Sequence, residues 1–325
     1  MSDRVLIAGC GGVGNALATR LLADGCEVWG ARRRVEALPT GVRPWRLDVT
    51  DPQNFGASPA AFDYLFYTAS ADRRDEEQYR SVYVNGLRNL LRALRRAGSP
   101  LRRVVFTSST AVYGQNQGEW VDESAVTEPA RFNGRVLLEA EALVREAPRT
   151  GISVRLSGIY GPGRTRLVRK VWNGEAIVTG SWTNRIHADD CAGVLHHLMR
   201  LENPKAVYLG SDDEPATTAD VVTWLSAEMG LPAPPPAGRT RAGTEPLNKR
   251  CQNTRLRETG YRFQYPTFRE GYRPIVREFL SRSDASGQAT SRSDASGRAT
   301  SQSDASGRAT SQSDASGRAT SQSDE

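Results

Sequence analysis

Four hydroxyl side chains in a row, Thr107, Ser108, Ser109 and Thr110, follow the apolar run Val104-Val-Phe106, and a Tyr113-Gly114 pair closes the segment. A buried strand ending in hydroxyls sets them at the carboxyl edge of a parallel sheet, where open α/β folds place their chemistry. Ser109 is then placed to hydrogen-bond a carbonyl or hydroxyl oxygen of a substrate.

A second cluster precedes it. Gly9-Cys-Gly11-Gly12-Val13-Gly14 follows the apolar strand Val5-Leu-Ile-Ala8 and opens a helix. In such a turn Gly9 permits the sharp bend, Gly11 lets the backbone approach a pyrophosphate, and Gly14 allows close packing of helix on sheet. The N–H groups around Gly12 and Val13 and the helix dipole attract the phosphate charge. Dinucleotide binding is the expectation. The second strand ends in Ala31-Arg32-Arg33-Arg34, with no carboxylate to hold a ribose 2′-hydroxyl. Arginine there accommodates a 2′-phosphate, so NADP is the expected cofactor, with NAD the alternative.

These motifs need a frame to hold them. Strands at 5–8, 26–31, 44–47, 64–67, 103–107 and 153–156 alternate with helices at 15–24, 75–97 and 132–147. Such alternation argues an α/β fold with a doubly wound parallel sheet, Rossmann-like. Residues 1–165 read as the dinucleotide-binding domain. Residues 166–280 read as a smaller α+β region on the substrate side, of which 186–200 could return to the first domain. From Ser281 a ten-residue unit, Ser-Arg-Ser-Asp-Ala-Ser-Gly-Gln-Ala-Thr, recurs four times with Gln/Arg exchanges. It holds no large apolar residue to offset the entropy of ordering, so 281–325 is expected to be a disordered tail.

Composition excludes other classes. The chain has 325 residues, 38% of them apolar, enough for a sizeable core, and no apolar run approaches the roughly 18 residues of a membrane span. Its opening, Met-Ser-Asp-Arg, does not read as an export signal. Cys10, Cys26, Cys191 and Cys251 form no Cys-x-x-Cys pair, as expected of free thiols in a reducing cytoplasm. The net charge of +6 comes with arginine clusters that no aromatics interleave, which argues against nucleic acid. His187, Asp189 and Asp190 lack a further ligand at metal spacing, so no metal is expected.

The two motif regions resemble the extended short-chain dehydrogenase/reductase family, the NAD-dependent epimerases and dehydratases, in an atypical branch. More segments fit in order. Leu47-Asp48-Val49 resembles the pair that flanks the adenine in that family, and Thr68-Ala69-Ser70 its loop under the nicotinamide ribose. Val84-Asn85-Gly-Leu-Arg-Asn-Leu-Leu91 resembles its Asn-bearing helix, one residue shorter, with Asn85 bracing the site. Arg155-Leu-Ser-Gly158-Ile159-Tyr160-Gly-Pro-Gly163 and Ile186-His187-Ala-Asp189-Asp190 resemble its nicotinamide-side segments. The resemblance implies that Ser108, Gly158 and Ile159 also touch the cofactor.

One part of the pattern is missing. The family carries Tyr-x-x-x-Lys on the helix that here reads Phe132-Asn-Gly-Arg-Val-Leu-Leu-Glu-Ala-Glu141, where Asn133 and Leu137 stand in those places. The lysine depresses the tyrosine's pKa and the tyrosine moves the proton, an effect of about 10²–10⁴-fold in rate. Tyr113 is the substitute expected from the sequence. Two readings follow: an NAD(P)-dependent oxidoreductase, epimerase or dehydratase acting on a sugar nucleotide or other small hydroxyl or carbonyl compound, and a non-catalytic NADP(H) sensor.

Overall fold

The computed structural model describes residues 2–147, 150–235 and 248–285. Two compact units divide the chain, Met1–Leu280 and Ser281–Glu325. Seven parallel strands form the main sheet: β1 (Arg4–Ala8), β2 (Glu27–Arg32), β3 (Arg43–Arg46), β4 (Tyr64–Tyr67), β5 (Arg103–Ser109), β6 (Thr150–Leu156) and β7 (Val207–Gly210). Their spatial order is β7-β6-β5-β4-β1-β2-β3. The chain winds outward from β1 through β3, then returns to β4 and winds the other way. The switch point therefore lies between β1 and β4, and a crevice opens beyond their carboxyl ends.

Burial on both faces explains the apolar strands. Leu6, Leu65, Tyr67, Val104 and Phe106 join one core cluster, while Val5, Ile7, Phe66 and Val105 join another. Alternate side chains of a strand point to opposite faces, so both clusters need apolar residues and the strands read as continuous runs. Helices α1 (Gly12–Ala23) and Ala188–Arg200 supply Leu17, Leu21, Leu195 and Leu198 to one face. On the other, α2 (Glu76–Tyr79) runs through a π-helical turn, Arg80–Gly86, into α3 (Leu87–Arg96), beside α4 (Phe132–Arg145).

Residues on both sides of position 165 share this unit. β7 completes the sheet, and Ala188–Arg200 packs against α1. A third cluster gathers Tyr160, Val168, Val221, Leu225, Phe268 and Tyr272. The last helix, Phe268–Ala285, continues through the first five residues of the repeat, which were expected to be disordered. Once a helix is nucleated on a packed face, each added residue costs little. The rest of the expected tail lies outside the described residues.

Candidate active site

The glycine turn is fixed by its neighbours. Gly9 has φ +86°, and a Cβ there would lie 2.2 Å from the backbone of Ala69. At Gly14 a Cβ would come within 3.1 Å of the Gly9 carbonyl, Ile7 and Thr68. Thr68 Oγ1 donates to the Gly9 carbonyl at 3.0 Å, tying the loop after β4 to the loop after β1. Gly11 caps α1 without a side-chain acceptor, and the first turn carries no acid. Gly12, Val13 and Gly14 line the crevice, so the free N–H groups of this helix start are available to an anion such as a pyrophosphate.

Two clefts meet on this turn and share Gly9, Gly11, Ala69 and Ser70. The narrower one, about 230 Å³, runs over Arg32, Arg33, Asp48 and Val49. Arg32 donates from Nη1 to the Cys10 carbonyl at 2.9 Å, so its guanidinium also braces the glycine turn. Arg33 pairs with Asp72 at 2.7 Å across the cleft. Burial works against the Asp48 carboxylate, but two hydrogen bonds from Thr50 outweigh it and hold the pKa below the usual range.

The wider cleft, about 440 Å³, extends from Gly12, Val13 and Gly14 to Thr68, Ser108, Ser109 and Ile159. Asn133 and Leu137 form part of its wall. Ser109 Oγ accepts from the Ala111 N–H at 3.2 Å, which begins the turn after β5. Gly158, between Ser157 and Ile159, is exposed and lies outside this wall.

Three of the residues expected from the sequence are committed to contacts other than those expected. Tyr113 is fully enclosed, its hydroxyl accepting from Arg155 Nη1 at 3.0 Å. Burial pushes that hydroxyl up to about 12, with Arg155 opposing, so Tyr113 meets the cleft wall as a packed core side chain. Asn85 is exposed and accepts from Arg88 at 3.1 Å. The reason is its neighbour: a Cβ on Gly86 would meet the Tyr67 hydroxyl at 2.7 Å and the Val49 carbonyl at 2.8 Å, so Gly86 faces the sheet and Asn85 turns outward. Ser108 is buried and donates to Glu141 Oε1 at 2.6 Å, whereas Ser109 is half-buried in the cleft wall.

Other residues of the cleft were not found by motif. Arg74, Arg131 and Arg164 line it, as do Tyr79 and Tyr83. Tyr79 and Tyr83 sit four apart on one helix, with ring centroids 5.1 Å apart. That spacing was the available signal, since residues four apart share a helix face. Among the described residues no group of acids, histidines and cysteines could hold a metal ion, and no helix is long and apolar enough to cross a membrane.

Residues 5–210 match the NAD dependent epimerase/dehydratase family. The chain belongs to that family. Protein YeeZ of Escherichia coli K12 is 29% identical over 275 residues, spanning 81% of this chain and 96% of that protein. A Methylobacillus flagellatus structure, described provisionally as an NAD-dependent epimerase/dehydratase, is 38% identical at TM-score 0.72 and covers 86% of this chain and 100% of its own. The UDP-glucose 4-epimerase of Thermus thermophilus, solved with NAD, is 22% identical at TM-score 0.70 over 85% of this chain and 99% of its own, and shares the epimerase/dehydratase fold.

Proposed function

We propose that the protein is an NAD(P)-dependent oxidoreductase of the epimerase/dehydratase type that works without the Tyr-x-x-x-Lys pair. The carrying observation is that two clefts, one lined by Arg32 and Arg33 and the other by Ser109, share the glycine turn. Gly9, Gly11, Gly14 and the α1 N-terminus would hold the pyrophosphate. Asp48 and Val49 would flank the adenine, and Thr68, Ala69, Ser70 and Ile159 the nicotinamide end. Arg33 would meet a 2′-phosphate, which favours NADP over NAD. When bound, the dinucleotide supplies or takes a hydride. Ser109 would orient the reacting oxygen of a sugar nucleotide or other small hydroxyl or carbonyl compound. Four unbridged cysteines support a cytoplasmic site of action.

A second reading, a non-catalytic NADP(H) sensor, draws on Asn133 and Leu137 in the wall and on the enclosure of Tyr113. Titration of NADPH and NADH by nicotinamide fluorescence, with an absorbance screen of nucleotide sugars and simple ketones, separates the two. The enzyme reading expects binding and turnover of at least one compound. Binding without turnover across the panel transfers the protein to the sensor class.

A further inference from the structure

Among the described residues, the wider cleft is lined by no aspartate, glutamate, histidine, lysine or cysteine. Its ionisable side chains are those of Arg74, Arg131 and Arg164 and the phenols of Tyr79, Tyr83 and Tyr113. A guanidinium keeps its proton in proteins, and serine or threonine hydroxyls are weak acids without an adjacent base. Proton transfer in this cleft therefore falls to a phenol.

Two of the three are committed elsewhere. Tyr113 is enclosed, with its hydroxyl on Arg155. Tyr83 packs edge-on against Phe106 of β5, ring centroids 6.3 Å apart, and burial lifts its hydroxyl to about 12. Tyr79 differs. It is half-buried in the cleft wall. Its ring stands edge-on to Phe132 at 5.4 Å, beside Asn133 on α4. Arg80, the next residue, holds this turn on α4 through two bonds to Glu139, at 2.5 and 2.9 Å. A π-helical turn begins at the same residue, a distortion frequent at functional sites.

We propose that Tyr79 is the proton carrier of this cleft, presented from the helix opposite the one on which the family keeps its tyrosine. The assignment rests on the oxidoreductase reading above. In the reducing direction the Tyr79 O–H bond breaks and its proton goes to the substrate carbonyl oxygen. The carbonyl carbon receives the hydride that a reduced nicotinamide dinucleotide provides. The phenolate then regains a proton from water at the cleft mouth.

The test compares the parent with Tyr79→Phe by NADPH titration, by turnover of the same nucleotide-sugar and ketone panel, and by tetranitromethane nitration mapped by mass spectrometry. Tyr79→Phe should bind NADPH within about twofold of the parent and lose about 100-fold or more in turnover. In the parent, Tyr79 should be nitrated ahead of Tyr113, and saturating NADPH should slow its nitration. Retention of more than about a third of parental turnover overturns the assignment, as does nitration of Tyr79 unaffected by bound NADPH. A parent that binds NADPH but converts no compound overturns it as well. A parent that binds neither NADPH nor NADH instead overturns the dinucleotide reading, and the titration distinguishes that failure from the others.

Discussion

Glu141 on α4 grips Arg155 on β6 with both carboxylate oxygens, accepting from Nε at 3.0 Å and from Nη2 at 2.8 Å, and both side chains are buried. The same carboxylate takes the Ser108 hydroxyl, and the free arm of Arg155 reaches Tyr113. Burial alone would depress the Arg155 pKa, but Glu141 and Tyr113 raise it above its ordinary value. The network fixes the end of β5, and hence Ser109, against α4. Glu141→Ala should cost about 3–5 kcal/mol in urea denaturation, because it strands a buried cation. Replacing both partners by apolar residues, as in Glu141→Leu with Arg155→Met, should recover most of that loss.

Tyr113→Phe removes one acceptor for Arg155 and leaves the packing in place. A loss of about 0.5–1.5 kcal/mol in stability is expected, with turnover within about threefold of the parent. Ser109→Ala should behave oppositely, with little change in melting temperature and a fall in turnover of about tenfold or more. Reversal of the two results would restore Tyr113 to the chemistry.

Gly11 tests the pyrophosphate cradle without disturbing the fold. Its φ is −103°, and an added Cβ meets only the Gly9 carbonyl, at 3.8 Å. Gly11→Val should therefore fold normally and weaken NADPH binding more than tenfold, about 1.4 kcal/mol. Gly9→Ala should instead lower the melting temperature, since its φ is positive and its Cβ would strike Ala69. Unaltered NADPH affinity in Gly11→Val refutes the cradle.

Cofactor choice should follow Arg33 more than Arg32. The Arg32 side chain is already committed to the Cys10 carbonyl, whereas Arg33 is exposed and paired with Asp72. Arg33→Ala should reduce the preference for NADPH over NADH, with each charge-assisted phosphate contact contributing about 1.5–3 kcal/mol. Equal affinity of the parent for both cofactors rejects the assignment.

His187 should make stability fall in mild acid. Its Nδ1 accepts from the Asp189 N–H at 3.2 Å, capping the helix Ala188–Arg200, and protonation would abolish that bond. Burial lowers its pKa, with Asp189 and Asp190 opposing. The unfolded chain, with an ordinary histidine pKa of about 6.5, then binds the proton first. Stability is therefore full above that value and is lost as pH falls through it. His197, also lowered by burial, adds a change of the same sign. His187→Asn keeps a capping oxygen, so its melting temperature should decline less than the parent's between about pH 7.5 and 5.5. Parallel declines would show that His187 does not titrate in this range.

Local pattern alone was enough to set out the frame. Period-two burial on both faces forces unbroken apolar strands, so β1, β4 and β5 were legible as runs, and the glycines after Ala8 marked the turn. Motif reading also singled out Gly9, Gly14, Arg33 and Ser109, because each is marked by a backbone constraint or by its place at a strand end. Only the tertiary structure decided which way the remaining side chains face. Asn85 turns outward because Gly86 occupies the tight approach to Tyr67 and Val49. Tyr113 turns inward because the charge on Arg155, itself held by Glu141, draws its hydroxyl into the core. Tyr79 borders the cleft because Arg80 is clamped to Glu139, a partner 59 residues away in the chain. Short-range spacing cannot encode such directions, since they follow from partners that meet only when α2 and α4 pack side by side on the sheet.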